Sequence, residues 1–167
     1  MNDRFKKGFK YELKNRHFAL KAVEKIANKL AGTQSNDFWE SYLLLEQFNE
    51  PRYHAASEVW RVKPKTYFFA KLKASLISLT PNFMLNSLVK LVYRETLKYM
   101  VQLREISKLG PPNSRAFLNY MLEQEQVQID MMKMALEGKT HEIRPLVDNF
   151  ISKNKLIPLK VAFDALD

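Results

Sequence analysis

The sequence predicts an all-α protein built as a bundle of four long helices. Only four of the 167 residues are glycine, and residues that favour helices, such as leucine, lysine, glutamate and methionine, dominate the composition. Apolar residues recur at spacings of three and four through four long stretches, and short breaks with glycine or proline separate these stretches. A chain of this length holds one substantial core, so we expect a single domain over residues 1–167.

Glycine and proline mark the expected ends of the helices. We expect long helices at 9–31, 38–62, 82–109 and 115–137, and a shorter one at 140–152. Asp37 is a suitable N-cap for the second helix, and Pro51 should kink or split that helix. Residues 65–79, KTYFFAKLKASLISL, are expected to form a short crossover helix along the bundle. The bundle core then covers residues 9–138, and residues 139–167 form a C-terminal helical extension.

The chain is strongly basic, with a formal net charge of +9 and a pI of about 9.6. Such a surface attracts anions, although a solvated surface without a partner is the simplest interpretation. Basic residues do not alternate regularly with aromatic residues, so the pattern does not favour nucleic acid. Phe68, Phe69 and Lys71 in the crossover segment leave an anionic membrane surface open as a partner. No other partner is indicated, and a homo-oligomer is compatible with the sequence.

Cysteine is absent, which excludes a disulfide, a thiolate metal ligand and a cysteine nucleophile. The N-terminal stretch MNDRFKKGFKYELK lacks the apolar core of a signal peptide. No apolar run approaches the roughly 20 residues that a membrane-spanning helix needs. We therefore expect a cytoplasmic protein, with peripheral association at a membrane as the alternative.

Each long predicted helix carries one glutamate within its apolar stripe when its residues are placed at about 100° intervals on a wheel. These residues are Glu12, Glu46, Glu95 and Glu125. An unpaired buried carboxylate costs several kcal/mol, and neighbouring carboxylates raise one another's pKa. We expect the four side chains to face one interior point, where metal ions, protons or basic side chains compensate their charge.

The order and spacing of these glutamates resemble the ferritin-like superfamily, which includes rubrerythrins and di-iron hydroxylases. The stretch YMLEQEQVQIDMMKMALEGK also looks like the fourth helix of that family, and the resemblance covers residues 9–138. It implies a ferritin-like four-helix bundle with two iron or manganese ions and oxygen- or peroxide-dependent oxidoreductase chemistry. It further implies that Glu12 and Glu95 are terminal or bridging ligands, whereas Glu46 and Glu125 bridge the two metals.

The sequence departs from the family at both histidine ligands. The family carries Glu-x-x-His on its second and fourth helices, and Asn49 and Gln128 occupy these two positions here. An amide oxygen binds iron less well than an imidazole nitrogen does. Asn49 and Gln128 would therefore be weak ligands or hydrogen-bond partners of the ligands. Arg16, one turn from Glu12, could fill the space of a metal and neutralise Glu12.

A metal-free polar network is the alternative to a dimetal centre. Arg16, Asn49, Gln128 and tyrosine hydroxyls would then satisfy the buried glutamates, and the chain would be a helical binding or interaction module. His54 would reach a metal only if Pro51 shifts the second helix, so a structural histidine is the simpler interpretation. No paired-histidine metal motif, serine–histidine–acid spacing or glycine-rich phosphate loop occurs.

Overall fold

The computed structural model describes residues 1–33, 36–63 and 80–155, and this part of the chain is helical without strands. Its α-helices are α1 Asp3–Lys29, α2 Asp37–Val59, α3 Leu85–Lys108, α4 Arg115–Leu136 and α5 Ile143–Lys155. Short 3-10 turns precede the last three helices at Asn82–Met84, Pro112–Ser114 and Thr140–Glu142. The all-α prediction is confirmed. The expected crossover helix at 65–79 lies outside the described residues.

Helix α1 begins six residues before the predicted start at Phe9, because Asn2 caps it. The Asn2 side-chain oxygen accepts from the backbone N–H groups of Arg4 at 2.8 Å and Phe5 at 3.3 Å. Phe5 is fully buried, so the added turn contributes to the core. At the other end Gly32 has a φ of 78°, in the left-handed region that glycine adopts readily after a helix.

Helix α2 passes through Pro51 as one continuous helix, so the prediction that it splits there is wrong. Proline removes one backbone donor from a helix. Pro51 lies on the exposed side of α2, while Asn49 and Tyr53 on either side of it are buried. Asp37, predicted as the N-cap, is instead the first residue of the helix, and Asn36 precedes it.

Contacts between the helices define their directions. Phe5 of α1 meets Trp60 after α2 with ring centroids 4.9 Å apart, whereas Arg16 further along α1 meets Glu46 of α2. Helices α1 and α2 are therefore antiparallel. Tyr99 of α3 reaches Glu12, and Lys29 Nζ, after more than four further turns of α1, donates to the Thr80 carbonyl before α3. Helices α1 and α3 are therefore also antiparallel.

Helix α4 is antiparallel to α2. Phe117 near the start of α4 packs against Trp60, and Gln128 in its second half donates to Glu46. Helices α2 and α3 consequently run in the same direction, so the chain leaves α2 at one end of the helices and enters α3 at the other. This geometry agrees with the expected crossover connection. None of the described helices is long and apolar enough to cross a membrane.

Helix α5 joins the same hydrophobic core by packing on α2 and α4. Ile143, Val147 and Phe150 are at most 3% exposed. The Phe150 ring stacks on Tyr120 of α4 at 5.6 Å and meets Phe48 of α2 edge to face at 6.2 Å. Burying side chains of this size contributes about 1.5–3 kcal/mol each, so α5 covers the seam between α2 and α4 rather than extending freely from them.

Candidate functional site

A buried arginine lies among carboxylates from three helices. The Arg16 guanidinium contacts Glu46 through Nη1 at 3.0 Å and Glu125 through Nη2 at 3.0 Å. Its Nε lies 3.1 Å from Glu12 Oε1, at ion-pair distance but without the alignment of a hydrogen bond. The three glutamates are at most 1% exposed. The Arg16 cluster, as we name this group, consists of Arg16, Glu12, Glu46, Glu125, Asn49, Gln124 and Gln128.

The amide side chains of the cluster connect its charged members. Gln124 Oε1 accepts from Arg16 Nη1 at 3.1 Å and from Asn49 Nδ2 at 3.0 Å. Gln128 donates through Nε2 to Glu46 Oε1. Gln124 also donates to Glu125 Oε2 at 3.1 Å. Each amide therefore supplies donors or acceptors that the single guanidinium cannot, and the charged groups avoid the cost of unpaired burial.

Two tyrosine hydroxyls donate hydrogen bonds to the Glu12 carboxylate on α1. Tyr53 donates to Glu12 Oε1 at 3.0 Å, and Tyr99 donates to Glu12 Oε2 at 2.6 Å. Burial, and then the negative charge of Glu12, raise the pKa of both phenols, so they remain protonated donors. Tyr120 similarly donates to Asn49 Oδ1. Tyr53 and Tyr99 therefore belong to the network that the metal-free alternative requires.

The cluster has fewer positive charges than carboxylates. Burial raises the pKa of Glu46 to about 7 and that of Glu125 to about 7, while the charge of Arg16 opposes both shifts. Burial also disfavours the charged guanidinium, but Glu46, Glu12 and Glu125 outweigh this effect and raise the pKa of Arg16 further. Arg16 therefore stays charged, whereas Glu46 and Glu125 change their protonation near neutral pH.

Glu95 does not join the other three glutamates. Its side chain is 59% exposed and pairs with Lys98 at 2.7 Å on the surface of α3. Tyr99, one turn further along α3, reaches Glu12 instead. The prediction that four carboxylates face one interior point is therefore correct for Glu12, Glu46 and Glu125 and wrong for Glu95.

The remaining candidate residues divide between the cluster and the surface. Asn49 and Gln128 are each 1% exposed and act as hydrogen-bond partners of the cluster. His54 is exposed on α2, in agreement with the simpler interpretation as a structural histidine, and it lines a small pocket that Arg16 and Glu46 also line. Gln124 was missed, although it falls at helical spacing with the buried Phe117, Met121 and Gln128. That spacing is the signal that would have identified it.

The residues of the cluster do not fit a dimetal centre. A guanidinium already lies 3.0–3.1 Å from an oxygen of each of the three glutamates that would hold metal. Asn49 and Gln128 direct their N–H groups, rather than lone pairs, at cluster oxygens. Over residues 1–33, 36–63 and 80–155, no three His, Cys, Asp or Glu side chains are placed to hold a metal ion.

A cavity of about 490 Å³ lies beside the cluster, between α1 and α3 and against α2 and α4. Arg16, Glu125 and Gln128 line its polar part, and Tyr11 and Glu95 are exposed side chains on its lining. Its apolar walls include Val23, Ile26, Phe38, Trp39, Val92 and Met132. Helical periodicity does not predict this cavity, because its lining comes from four helices.

Fold and site together define an all-α protein with a buried arginine–carboxylate cluster beside a largely apolar cavity. Comparisons with protein-family models, with curated proteins and with solved structures gave no match to this chain. The function is therefore inferred from the cluster and the cavity alone.

Proposed function

We propose that this chain is a ferritin-like helical bundle that binds a small amphipathic molecule and carries the Arg16 cluster where the superfamily carries its metal ions. One glutamate each from α1, α2 and α4 faces a common point, and α2 and α3 run in the same direction, as in bundles with one long crossover. The observation that carries the proposal is the contact of one guanidinium with three carboxylates.

Electrostatics favours this interpretation over an oxygen- or peroxide-dependent oxidoreductase. A divalent ion entering between Glu12, Glu46 and Glu125 would meet the positive charge of Arg16 at close range. Expelling Arg16 would break three charged contacts in a buried site and leave its guanidinium without partners. The amides at positions 49 and 128 offer weaker ligands for iron than histidine would.

The cavity supports a binding role. Its volume of about 490 Å³ falls within the roughly 300–1,000 Å³ typical of small-molecule sites. Such sites combine apolar walls with a few polar groups that orient the ligand. Here the apolar side chains of four helices supply the walls, and Arg16, Glu125 and Gln128 supply the polar part.

Metal analysis tests the first half of the proposal. Protein purified without chelator is incubated anaerobically with Fe(II) or with Mn(II) at neutral pH, desalted and analysed by mass spectrometry for metals. We expect no stoichiometric metal. The comparison is a variant that combines Arg16→Leu, Asn49→His and Gln128→His, which removes the guanidinium and restores both imidazoles. This variant is expected to retain metal.

Two ions per wild-type chain would overturn the metal-free proposal. A folded triple variant that retains no metal would instead count against the ferritin-like part of the proposal, because the restored ligands would then not converge.

Calorimetric titration with 1-octanol tests the second half. Wild-type protein is expected to bind this probe saturably. Ala22, which is buried and lines the cavity, offers a matched change. Ala22→Phe fills the space with apolar atoms, so the variant should keep its helical circular-dichroism spectrum and lose probe binding. Absence of saturable binding of 1-octanol and of charged amphiphiles of the same length to the wild-type protein would reject the proposed cavity function.

A further inference from the structure

We propose that the ligand of the cavity is an organic cation, a lipophilic amine whose ammonium group binds Glu125. This inference rests on the proposed function, since it names the chemical class of the molecule that the cavity binds. It follows from the hydrogen bonds of Glu125, the charge of the cluster and the walls of the cavity.

One oxygen of Glu125 remains open to a donor. Arg16 Nη2 at 3.0 Å and Gln124 Nε2 at 3.1 Å both bind Oε2. Within the described part of the chain, no side-chain donor reaches Oε1. The Glu125 side chain is only 2% exposed, yet it lines the cavity. A donor in the cavity can therefore bind Oε1 and add to the two hydrogen bonds that Oε2 already accepts.

The sign of the charge on that donor follows from the cluster. Three carboxylates surround one guanidinium, whose Nη1 and Nη2 already donate to Glu46, Gln124 and Glu125 and whose Nε lies 3.1 Å from Glu12 Oε1. An anionic ligand would therefore meet the like charge of the carboxylates, and Lys98, the other described cation on the cavity lining, is already paired with Glu95. An ammonium group would instead supply the positive charge that the cluster lacks, and its N–H would form a charge-assisted hydrogen bond.

The apolar part of the cavity suits the rest of such a molecule. Phe38, Trp39 and Tyr42 line it and pack edge to face, with centroids 4.9 Å apart for Phe38 and Trp39. Aromatic faces attract cations as well as apolar groups. An alkyl or aryl amine can therefore contact these rings with its body while its ammonium group reaches Glu125.

The net charge of +9 does not outweigh this local attraction. Solvent-exposed charges are screened over about 8 Å at physiological ionic strength. A contact with the buried Glu125 is much less screened. The basic surface therefore lowers the rate at which an amine arrives more than it lowers the stability of the bound state.

Binding of an amine should also be linked to protons. Burial holds the pKa of Glu125 at about 7, so an incoming ammonium group displaces a proton from this carboxyl near neutral pH. The groups that face Glu125 from the packed helices are Arg16 and Glu12 on α1, Tyr42, Glu46 and Tyr53 on α2, and Tyr99 on α3. Burial also raises the pKa of Glu46 to about 7. Amine affinity should rise between pH 6 and pH 8.

Three probes of the same length test the inference by calorimetry at pH 7.5 in 150 mM salt. They are octylamine, 1-octanol and octanoate, which differ mainly in the charge of the polar group. We expect octylamine to bind at least about tenfold more tightly than 1-octanol, since a hydrogen bond to a charged group is stronger than one between neutral groups. Octanoate should bind most weakly.

Two variants locate the contact. Glu125→Gln should weaken octylamine binding about tenfold, the loss of one charged contact, and should change 1-octanol binding much less, because the amide can still hydrogen-bond a neutral hydroxyl. Glu95→Gln is the matched control, because it removes a carboxylate that lines the same cavity from its exposed side. This control should leave both affinities unchanged.

The outcomes separate the inference from the proposed function. Equal affinities for octylamine and 1-octanol, tighter binding of octanoate, or no effect of Glu125→Gln would reject the amine and retain a binding cavity. Binding of none of the probes would reject the cavity function itself. If Glu125→Gln does not fold, the wild-type protein decides, because octylamine but not 1-octanol should bind more tightly at pH 8 than at pH 6.

Discussion

Among single residues, Arg16 sets the charge balance of the interior. It contacts carboxylates on its own helix, on α2 and on α4, and its guanidinium is the cation that the described cluster provides for them. Taking these charges out of water is costly, so the cluster adds little net stability compared with an apolar core. Removing the cation alone is different, because it leaves three buried carboxylates facing one another.

We expect Arg16→Leu to lower the free energy of unfolding by about 3–5 kcal/mol at pH 7.5, the cost of breaking a buried ion pair from one side. Arg144→Leu is the control, since Arg144 pairs with Asp148 at 2.9 Å on the surface, where such pairs contribute about 0–1 kcal/mol. Urea unfolding measures both losses. The loss for Arg16→Leu should shrink at pH 5, where Glu46 and Glu125 are protonated. Equal losses for the two variants would contradict this prediction.

The pKa values of Glu46 and Glu125 predict an unusual dependence of stability on pH. Burial raises both from 4.5 to about 7. Between these values the folded protein holds protons that the unfolded chain has released, so the stability that these groups contribute is present at low pH. It falls as the pH rises through 7, with about 1.4 kcal/mol corresponding to each pKa unit.

Urea unfolding from pH 5 to pH 8 measures this slope. Glu125→Gln removes one of the titrating carboxyls at nearly constant size, so the variant should show a flatter profile. It should also equal or exceed the stability of the wild-type protein at pH 8. A rise in wild-type stability over this range, or an unchanged slope in the variant, would count against the raised pKa values of Glu46 and Glu125.

The sequence predicted three of the four glutamates correctly, and the error at Glu95 has a physical origin. The apolar arc of α3 is wider than its buried face, because Leu91 and Val101 are 55% and 62% exposed. The centre of the predicted apolar stripe therefore lies about 100° around the helix axis from the centre of the buried face. Periodicity alone shows that a helix is amphipathic, but not which flank of a wide arc contacts the core.

For pairs of elements, the approach of α1 to α3 depends on a glycine. A Cβ built on Gly8 would lie 2.6 Å from Ile106 Cδ1 and 2.9 Å from Ile106 Cγ2. Glycine inside a helix costs about 1 kcal/mol relative to alanine. Its presence within α1 allows the two helices to pack closely at this point, and this packing requirement was not visible when the helix was predicted to begin at Phe9.

We expect Gly8→Ala to destabilise the protein by about 1–2 kcal/mol, because the overpacking penalty of about 1–3 kcal/mol exceeds the gain in helix propensity. Ile106→Ala removes the clashing atoms and itself costs a few kcal/mol. In the double variant the two losses should be less than additive by about 1 kcal/mol or more. Denaturant unfolding of the four proteins measures this coupling, and strict additivity would show that the two residues do not determine the contact.

The positions between helices were predicted well, whereas the effect of a proline inside a helix was not. Gly32, Gly138 and the GPPNS stretch follow or separate helices as expected, because their backbone preferences are local. Pro51 was expected to kink or split α2, and the split does not occur, because the helix continues through Pro51. Burial of Asn49 and Tyr53 on either side of Pro51 holds this segment in place, and such tertiary contacts are not encoded in a local preference.

In the whole molecule, α5 is part of the core and not an appendage. Phe150 is 3% exposed and contacts rings on α2 and α4. Its backbone carbonyl also accepts a hydrogen bond from the Asn154 side chain at 2.9 Å, and the Asn154 carbonyl accepts from Arg52 of α2. These contacts tie the last described helix to the middle of the chain.

Phe150→Ala should therefore lower the stability of the entire protein by about 3–5 kcal/mol and not merely release α5. Far-ultraviolet and near-ultraviolet circular dichroism during urea unfolding should then change together, as expected for one cooperative domain. Lys153→Ala, on the exposed side of the same helix, should cost less than about 1 kcal/mol. Separate transitions for the two signals would show that α5 unfolds independently.

The contact of glutamates from three helices with one guanidinium also affects how the chain folds. In a core made of leucine and methionine, neighbouring helices can pack at several different positions along their axes with little loss of contact. If one helix were shifted along its neighbours by one turn, about 5.4 Å, its glutamate would lie among apolar side chains and away from the arginine. Packings with a shifted helix are therefore less stable than the native one. A buried charged cluster that is costly in itself thus reduces the number of compact states that the chain can adopt.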